Sequence, residues 1–168
     1  MEANCIQHGR FKYGRPPFVP VDCCKTAIVD EWSGDRGCSA KYFSQDGIIK
    51  LAASTKIPLD EFDSPAKKLR EVQRLVEQGD SRALAVYRSL GVYLGHSLPF
   101  YTRFYNIKYV LLLGRVLSGE GGAIIISEAQ RVLKEEYPEL SERLKLHLPS
   151  ETSRRVGQSV IAASLPIL

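Results

Sequence analysis

Between Leu113 and Gly122 the chain reads Leu-Gly-Arg-Val-Leu-Ser-Gly-Glu-Gly-Gly, with glycines at 114, 119, 121 and 122. A stretch of this kind between an apolar strand and a helix exposes backbone N–H groups and lets a flat or anionic group come close, which is the chemistry of a nucleotide site. Gly114, Arg115, Gly119, Gly121 and Gly122 are therefore the candidate nucleotide contacts. The stretch is not a phosphate loop of the Walker type, because no Lys-Ser/Thr pair follows the last glycine, and Glu120 would oppose a bare phosphate beside it. The same glycines would equally serve a tight turn.

Other chemistry is sparse. No Gly-x-Ser-x-Gly, His-Glu-x-x-His or Cys-x-x-C occurs, and His8, His96 and His147 are scattered, so no catalytic residue is assigned. Cys5, His8, Cys23, Cys24 and Cys38 are ligand types that zinc favours, but adjacent Cys23 and Cys24 cannot easily face one ion, and zinc is not expected. Asp30, Glu31 and Asp35 share one loop, where a solvated turn explains them.

The elements that must position the glycine turn follow from periodicity. A helix is expected from about 40 to 53 and another from Ser64-Pro65 to Gly79, with Leu69, Val72 and Val76 on one face. Asp80 caps a third, carrying the stripe Ala83, Tyr87, Leu90, Leu94 and Leu98 up to Pro99. Gly91 and Gly95 sit one turn apart on it, where another backbone could approach. The run from Ile107 to Leu113 has strand length and suits burial on both faces of a parallel sheet. A helix with Ile125, Ala129, Val132 and Leu133 then runs to Pro138. Leu144, Leu146 and Leu148 alternate as a half-buried strand, and a last helix is expected over about 154 to 164. Phe18 to Val21 reads as a strand remnant and 30 to 37 as a loop. The class is α/β, with a small, partly parallel sheet flanked by helices.

The chain has 168 residues, 44% hydrophobic and 25% charged, which is one ordinary domain's worth and excludes disordered, collagen-like and low-complexity classes. The net charge of +4 is interspersed, and the basic stretch Lys67, Lys68, Arg70 and Arg74 is mixed with Glu71 and Glu77, so a nucleic-acid partner is not expected. No apolar run approaches the roughly 18 residues that cross a bilayer, so no membrane span is expected. The opening MEANCIQHGRFKYGRPP has no apolar h-region, from which a cytoplasmic location and reduced thiols are expected.

Three segments carry a family likeness: Gly34 to Cys38 with Tyr42-Phe43-Ser44, then Gly91 through Phe104 into the strand and the Gly114 turn, then Val156-Gly157-Gln158 through Ala162-Ala163-Ser164. Together, over about Phe18 to Leu165, they resemble the ROK group (repressor, open reading frame, kinase) of the actin-like ATPase and sugar-kinase superfamily. The likeness is greatest to a bacterial subgroup with Ser-Gly-Glu-Gly-Gly after that strand. The resemblance implies an RNase H-like C-terminal lobe over 18–168 behind an irregular arm at 1–17. It also implies that Gly114, Arg115, Gly119, Gly121 and Gly122 line the adenosine side of an ATP cleft, with magnesium accompanying the nucleotide.

The departures from the family pattern are equally specific. Arg115 stands where a second adjacent glycine is usual, and only Cys38 remains of the zinc motif's thiolates in Glu31 to Cys38. Ala40 replaces the sugar-binding glutamate, and neither the Asp-x-Gly-x-Thr phosphate loop nor the lobe holding the catalytic aspartate occurs. The expectation is thus a catalytically incomplete ROK-type sugar-kinase lobe that retains nucleotide binding, paired with itself as a homo-oligomer or with a separate N-terminal lobe. The alternative is an interaction or oligomerisation module that has lost nucleotide and sugar binding.

Overall fold

A computed structural model describes residues 19–150. In chain order it contains α1 (Ser39–Tyr42), α2 (Gln45–Ser54), α3 (Pro65–Glu77), α4 (Ser81–Tyr101), β1 (Tyr109–Leu111), a 3-10 turn (Arg115–Leu117), α5 (Gly121–Glu136), α6 (Pro138–Arg143) and β2 (Lys145–His147). The mixture is α/β: β1 and β2 pair in parallel, with Tyr109, Val110 and Leu111 opposite Lys145, Leu146 and His147. Parallel strands need a crossover connection, and α5 with α6 supplies it.

The core is built on α4. Its stripe Ala83, Val86, Tyr87, Leu90, Leu94 and Leu98 is buried, and it meets Leu69, Val72 and Val76 of α3, Ile48 and Ala52 of α2, and Ile125, Ala129 and Leu133 of α5. Gly91 and Gly95 are the seam of the α4–α5 contact. A Cβ at Gly91 would stand 2.7 Å from the Ile125 carbonyl oxygen, and one at Gly95 would stand 2.6 Å from Val132 Cβ. The absence of those side chains lets the two helices close on each other.

Three sequence expectations need correction, and one, the helix end at Pro138, is met and extended. The helix expected over 40 to 53 breaks at Phe43, because the Ser44 hydroxyl accepts the Asp46 N–H at 3.1 Å and starts a new helix there. Pro99 does not end α4, which runs on to Tyr101. Pro99 gives up the N–H bond to the carbonyl one turn back, and the end of the helix is held by Thr102 N–H on the Leu98 carbonyl at 3.1 Å. Pro138 closes α5 and at the same time opens α6, as a residue whose missing N–H is no loss in a first turn. The run from Ile107 to Leu113 yields strand only at Tyr109–Leu111 and is not buried on both faces. Tyr109 is 71% exposed and Leu111 is 53% exposed, because the two-stranded sheet packs on the core through Val110 and Leu146 on one face and no described element covers the other. In β2, Leu144 is buried and Leu146 packs on the core while Lys145 and His147 face out, as the alternation predicts. Phe18 and the helix expected at 154 to 164 lie outside the described residues.

Asp80 shows how one side chain sets a helix start. Its carboxylate accepts the N–H groups of Arg82 and Ala83 at 2.8 and 3.3 Å and pairs with the Arg82 guanidinium at 2.7 Å. These bonds, chiefly those from Arg82, hold its carboxyl down at about 2. Because the folded value lies below the unfolded one, the stabilisation is fully present above the ordinary carboxyl range and is lost as pH falls through it towards about 2. Asp80→Asn keeps an acceptor and loses the charge. The gap in thermal midpoint between it and the parent chain, measured by circular dichroism at neutral pH, is expected to close over that acidic window; a gap independent of pH would contradict this role.

Candidate functional site

The segment that joins β1 to α5 is where the strand's C-terminal end meets a helix N-terminus. Leu112 N–H still reaches the His147 carbonyl of β2 at 2.9 Å. The chain then turns at Gly114 (φ 124) into the 3-10 turn, where Leu117 N–H bonds the Gly114 carbonyl at 3.2 Å and Ser118 N–H bonds the Arg115 carbonyl at 3.1 Å. A second left-handed residue, Gly119 (φ 66), brings the chain to α5. Both dihedrals are ones that a side chain resists. No side chain caps α5, and its first tie is Ile124 N–H to the Glu120 carbonyl at 3.2 Å. The leading amides of a sixteen-residue helix therefore carry the positive end of its dipole, with Gly121 and Gly122 at its first two positions buried.

The sequence-nominated glycines fall into two kinds. Gly114 is exposed, and a Cβ built there would meet nothing within 4 Å; at Gly119 it would lie 3.3 Å from Glu77 Oε1. These two keep the turn low and open. Gly121 and Gly122 are buried: a Cβ on Gly121 would overlap the Tyr87 ring, and one on Gly122 would stand 2.6 Å from the Leu117 carbonyl oxygen and 2.8 Å from Leu148 Cδ2. They let the first turn of α5 sit on α4 and beside β2. Arg115 is exposed and makes no ion pair among the described residues. The structure thus brings all five nominated residues into one short segment, three of them at the surface and two beneath it.

Two residues outside the five nominated ones hold this segment in place. Gln73 of α3 donates its side-chain amide to the Arg115 carbonyl at 2.9 Å, across 42 positions in sequence. Tyr87 lies fully buried beneath Gly121, and its hydroxyl has no hydrogen-bond partner among the described residues. Burial pushes its phenol well above the ordinary range, and the Gln73 side chain, close to the phenol oxygen but outside hydrogen-bonding geometry with it, acts in the other direction. Tyr87 was legible as a stripe residue; Gln73 carried no signal, because its contact joins parts of the chain that periodicity treats separately.

The remaining polar groups do structural work. Asp30 accepts Ser33 N–H at 2.9 Å and closes the loop at 30 to 37; the Ser33 side chain first, and then that N–H, hold its carboxyl below the usual range. Glu31 pairs with Lys41, which reaches Asp46 at 3.3 Å. The Tyr42 hydroxyl donates to Asp22, tying the segment before α1 to the core. Cys38 is 1% exposed and burial pushes its thiol up, while Cys23 and Cys24 are exposed. Among the described residues no three His, Cys, Asp or Glu side chains gather where they could hold a metal ion. His96 reaches the Tyr137 hydroxyl at 3.4 Å, and His147 points outward from β2. Arg74 pairs bidentately with Glu71 at 2.6 and 2.9 Å, so the basic stretch on α3 is a charge-balanced helix face. No described helix is long and apolar enough to cross a membrane. A surface groove lined by Ala85, Arg88, Val92, Tyr93, Glu128 and Arg131 runs along α4 and α5 and includes none of the glycines.

Compared with known proteins, the chain matches the family model described as ROK family over residues 32–163, which spans β1, the glycine turn and α5. No curated protein matches it.

Proposed function

The chain belongs to the ROK family, and from that membership we propose that it is an RNase H-like, sugar-kinase-type lobe that binds a purine nucleotide at the turn between β1 and α5. The observation that carries this reading is the uncapped start of α5, reached through two left-handed glycines directly after a parallel strand. Open α/β sheets bind ligands at this position, and the amides there favour an anion. Gly114 leaves room for a flat group, Arg115 supplies a cation free to meet phosphate, and Gly119, beside Glu77, brings the chain to the start of the helix. Gly121 and Gly122 act from below by fixing where those amides stand. Glu77 beside Gly119 and Glu120 at the helix start make the magnesium complex of ATP or ADP a better match than the bare polyanion.

The residues present support binding more than turnover. Phosphoryl transfer needs a base for the sugar hydroxyl and a cradle for the transferred phosphate, and no group in this sequence matches the family's motifs for either. Zinc does not fit the segment from Glu31 to Cys38. Its one thiol is buried in the packing of α1, and Glu31 is engaged by Lys41.

Calorimetric titration with ATP or ADP and magnesium tests the proposal. Saturable heat is expected, with Arg115→Glu weakening affinity about tenfold and Arg115→Lys retaining most of it, as for a charge contact to phosphate. An absence of heat at millimolar nucleotide, or affinity indifferent to charge reversal at Arg115, would sink it.

A further inference from the structure

The Tyr87 hydroxyl is buried and unbonded beneath the turn between β1 and α5. A buried hydroxyl without a partner costs free energy, and such a group in a native fold calls for an explanation. Tyr87 Cζ, the ring atom that carries it, lies 2.7 Å from where a Cβ on Gly121 would stand, so the hydroxyl sits beside the start of α5. The Gln73 side chain lies close to it without bonding it. That side chain is engaged elsewhere, donating its Nε2 N–H to the Arg115 carbonyl at 2.9 Å. One amide thus stands near two oxygens and holds one of them.

The bond that Gln73 makes is one it gives up at little cost. The Arg115 carbonyl has a second donor, Ser118 N–H at 3.1 Å, and stays satisfied without Gln73. A hydroxyl both donates and accepts, so either end of the amide suits it. Moving the amide from the carbonyl to the hydroxyl trades one hydrogen bond for another and leaves no new group unmet. What the move changes is the turn. Among the described residues, the Gln73 bond is the one side-chain hydrogen bond made to residues 114–119. Left-handed glycines at 114 and 119 bound the segment, and glycine backbone rotates at little steric cost. Leu117 is buried and anchors its middle, so release frees the Arg115 end.

We propose that Gln73 is a latch with two seats, the Arg115 carbonyl when the turn is held and the Tyr87 hydroxyl when it is released, and that the turn receives its ligand in the released state. Holding fixes the main chain of the residue whose side chain is to meet phosphate, and release lets that residue adjust to it. The second half of the proposal rests on the nucleotide reading; the latch itself does not. Neither Gln73 nor Tyr87 touches the ligand, and both act through Arg115 as positioning residues.

Amide hydrogen exchange of the full chain, read by NMR without nucleotide, tests the latch. Tyr87→Phe removes the seat of the released state, so the bonded amides of Leu117 and Ser118 should exchange about fivefold more slowly. Gln73→Met removes the latch from both seats, and beside it Tyr87→Phe should have no effect on these amides, a coupling that a packing role for the ring does not produce. Calorimetry with magnesium ADP then reads the ligand. Tyr87→Phe should weaken affinity about fivefold although it does not lower stability, because the binding-competent state is less populated, and this loss too should vanish beside Gln73→Met. Unchanged exchange in Tyr87→Phe, or an equal slowing beside Gln73→Met, would overturn the latch. Slowed exchange with unchanged affinity would overturn its coupling to the ligand. Slowed exchange in a chain that takes no nucleotide would support the latch and remove the nucleotide reading instead.

Discussion

Gly95→Val is expected to destabilise the chain by about 3 kcal/mol, and Gly91→Val by a similar amount, because overpacking a closed seam costs typically 1–3 kcal/mol and valine adds three carbons where none fits. At Gly95 even the first of them would stand 2.6 Å from Val132 Cβ and 3.2 Å from the Ala129 carbonyl oxygen. At Gly91 the obstacle is the backbone of α5 itself, the Ile125 carbonyl oxygen at 2.7 Å. Backbone cannot rotate aside as a long side chain can. Alanine is a poor probe here, since it recovers about 1 kcal/mol of helix propensity that partly conceals the clash. Against a total of about 5–15 kcal/mol for a domain, the double variant, at about 6 kcal/mol if the two add, should lose a large share of its stability. Urea titrations followed by circular dichroism measure this directly; a midpoint unchanged in either single variant would show that α4 and α5 are not closed on each other at these positions.

The second large effect contrasts two substitutions at one residue. Tyr87→Ala removes a fully buried ring and should cost about 3–5 kcal/mol, as large aromatic deletions from cores do. Tyr87→Phe removes only the hydroxyl, which has no partner among the described residues, and should leave stability unchanged or raise it by about 1 kcal/mol. The ring also sets the start of α5 through Gly121. Gly121→Ala should therefore be costly in the parent chain and much less so beside Tyr87→Ala, a coupling that a double-mutant cycle reads. If Tyr87→Phe were as damaging as Tyr87→Ala, the hydroxyl would have a partner and the packing account of Gly121 would be wrong.

Much of this arrangement is legible in the sequence because it is local. Pro65 announces a helix start through its fixed φ, Asp80 announces one by capping, and the stripes on α3, α4 and α5 report their buried faces through a 3.6-residue period. The alternation of Leu144, Leu146 and Leu148 marks β2, and its parallel pairing follows once a helix separates it from β1. Most of what fails depends on neighbours distant in sequence. The apolar run before Gly114 suggests burial on both faces, yet whether a second layer covers a strand is decided elsewhere in the chain. Ser44 splits a helix because its hydroxyl competes for a backbone N–H, a local event that a smooth apolar pattern conceals.

The candidate site shows the same division. The glycines at 114, 119, 121 and 122 stand out by composition alone. Sequence could not separate the two that adopt left-handed turns in the open from the two that make room for Tyr87 and Leu148, because that distinction lies in what each missing Cβ would touch. Nor could it find Gln73, whose bond to the Arg115 carbonyl exists only after α3 has packed beside the turn.

The most direct measurement is a proton–nitrogen NMR titration of the labelled chain with magnesium ADP. The amides of Gly114, Arg115, Gly119, Gly121 and Gly122 should move together, with one common dissociation constant. Shifts confined to the groove of Arg88 and Arg131, or no shifts at millimolar nucleotide, would show that the turn between β1 and α5 does not hold a nucleotide.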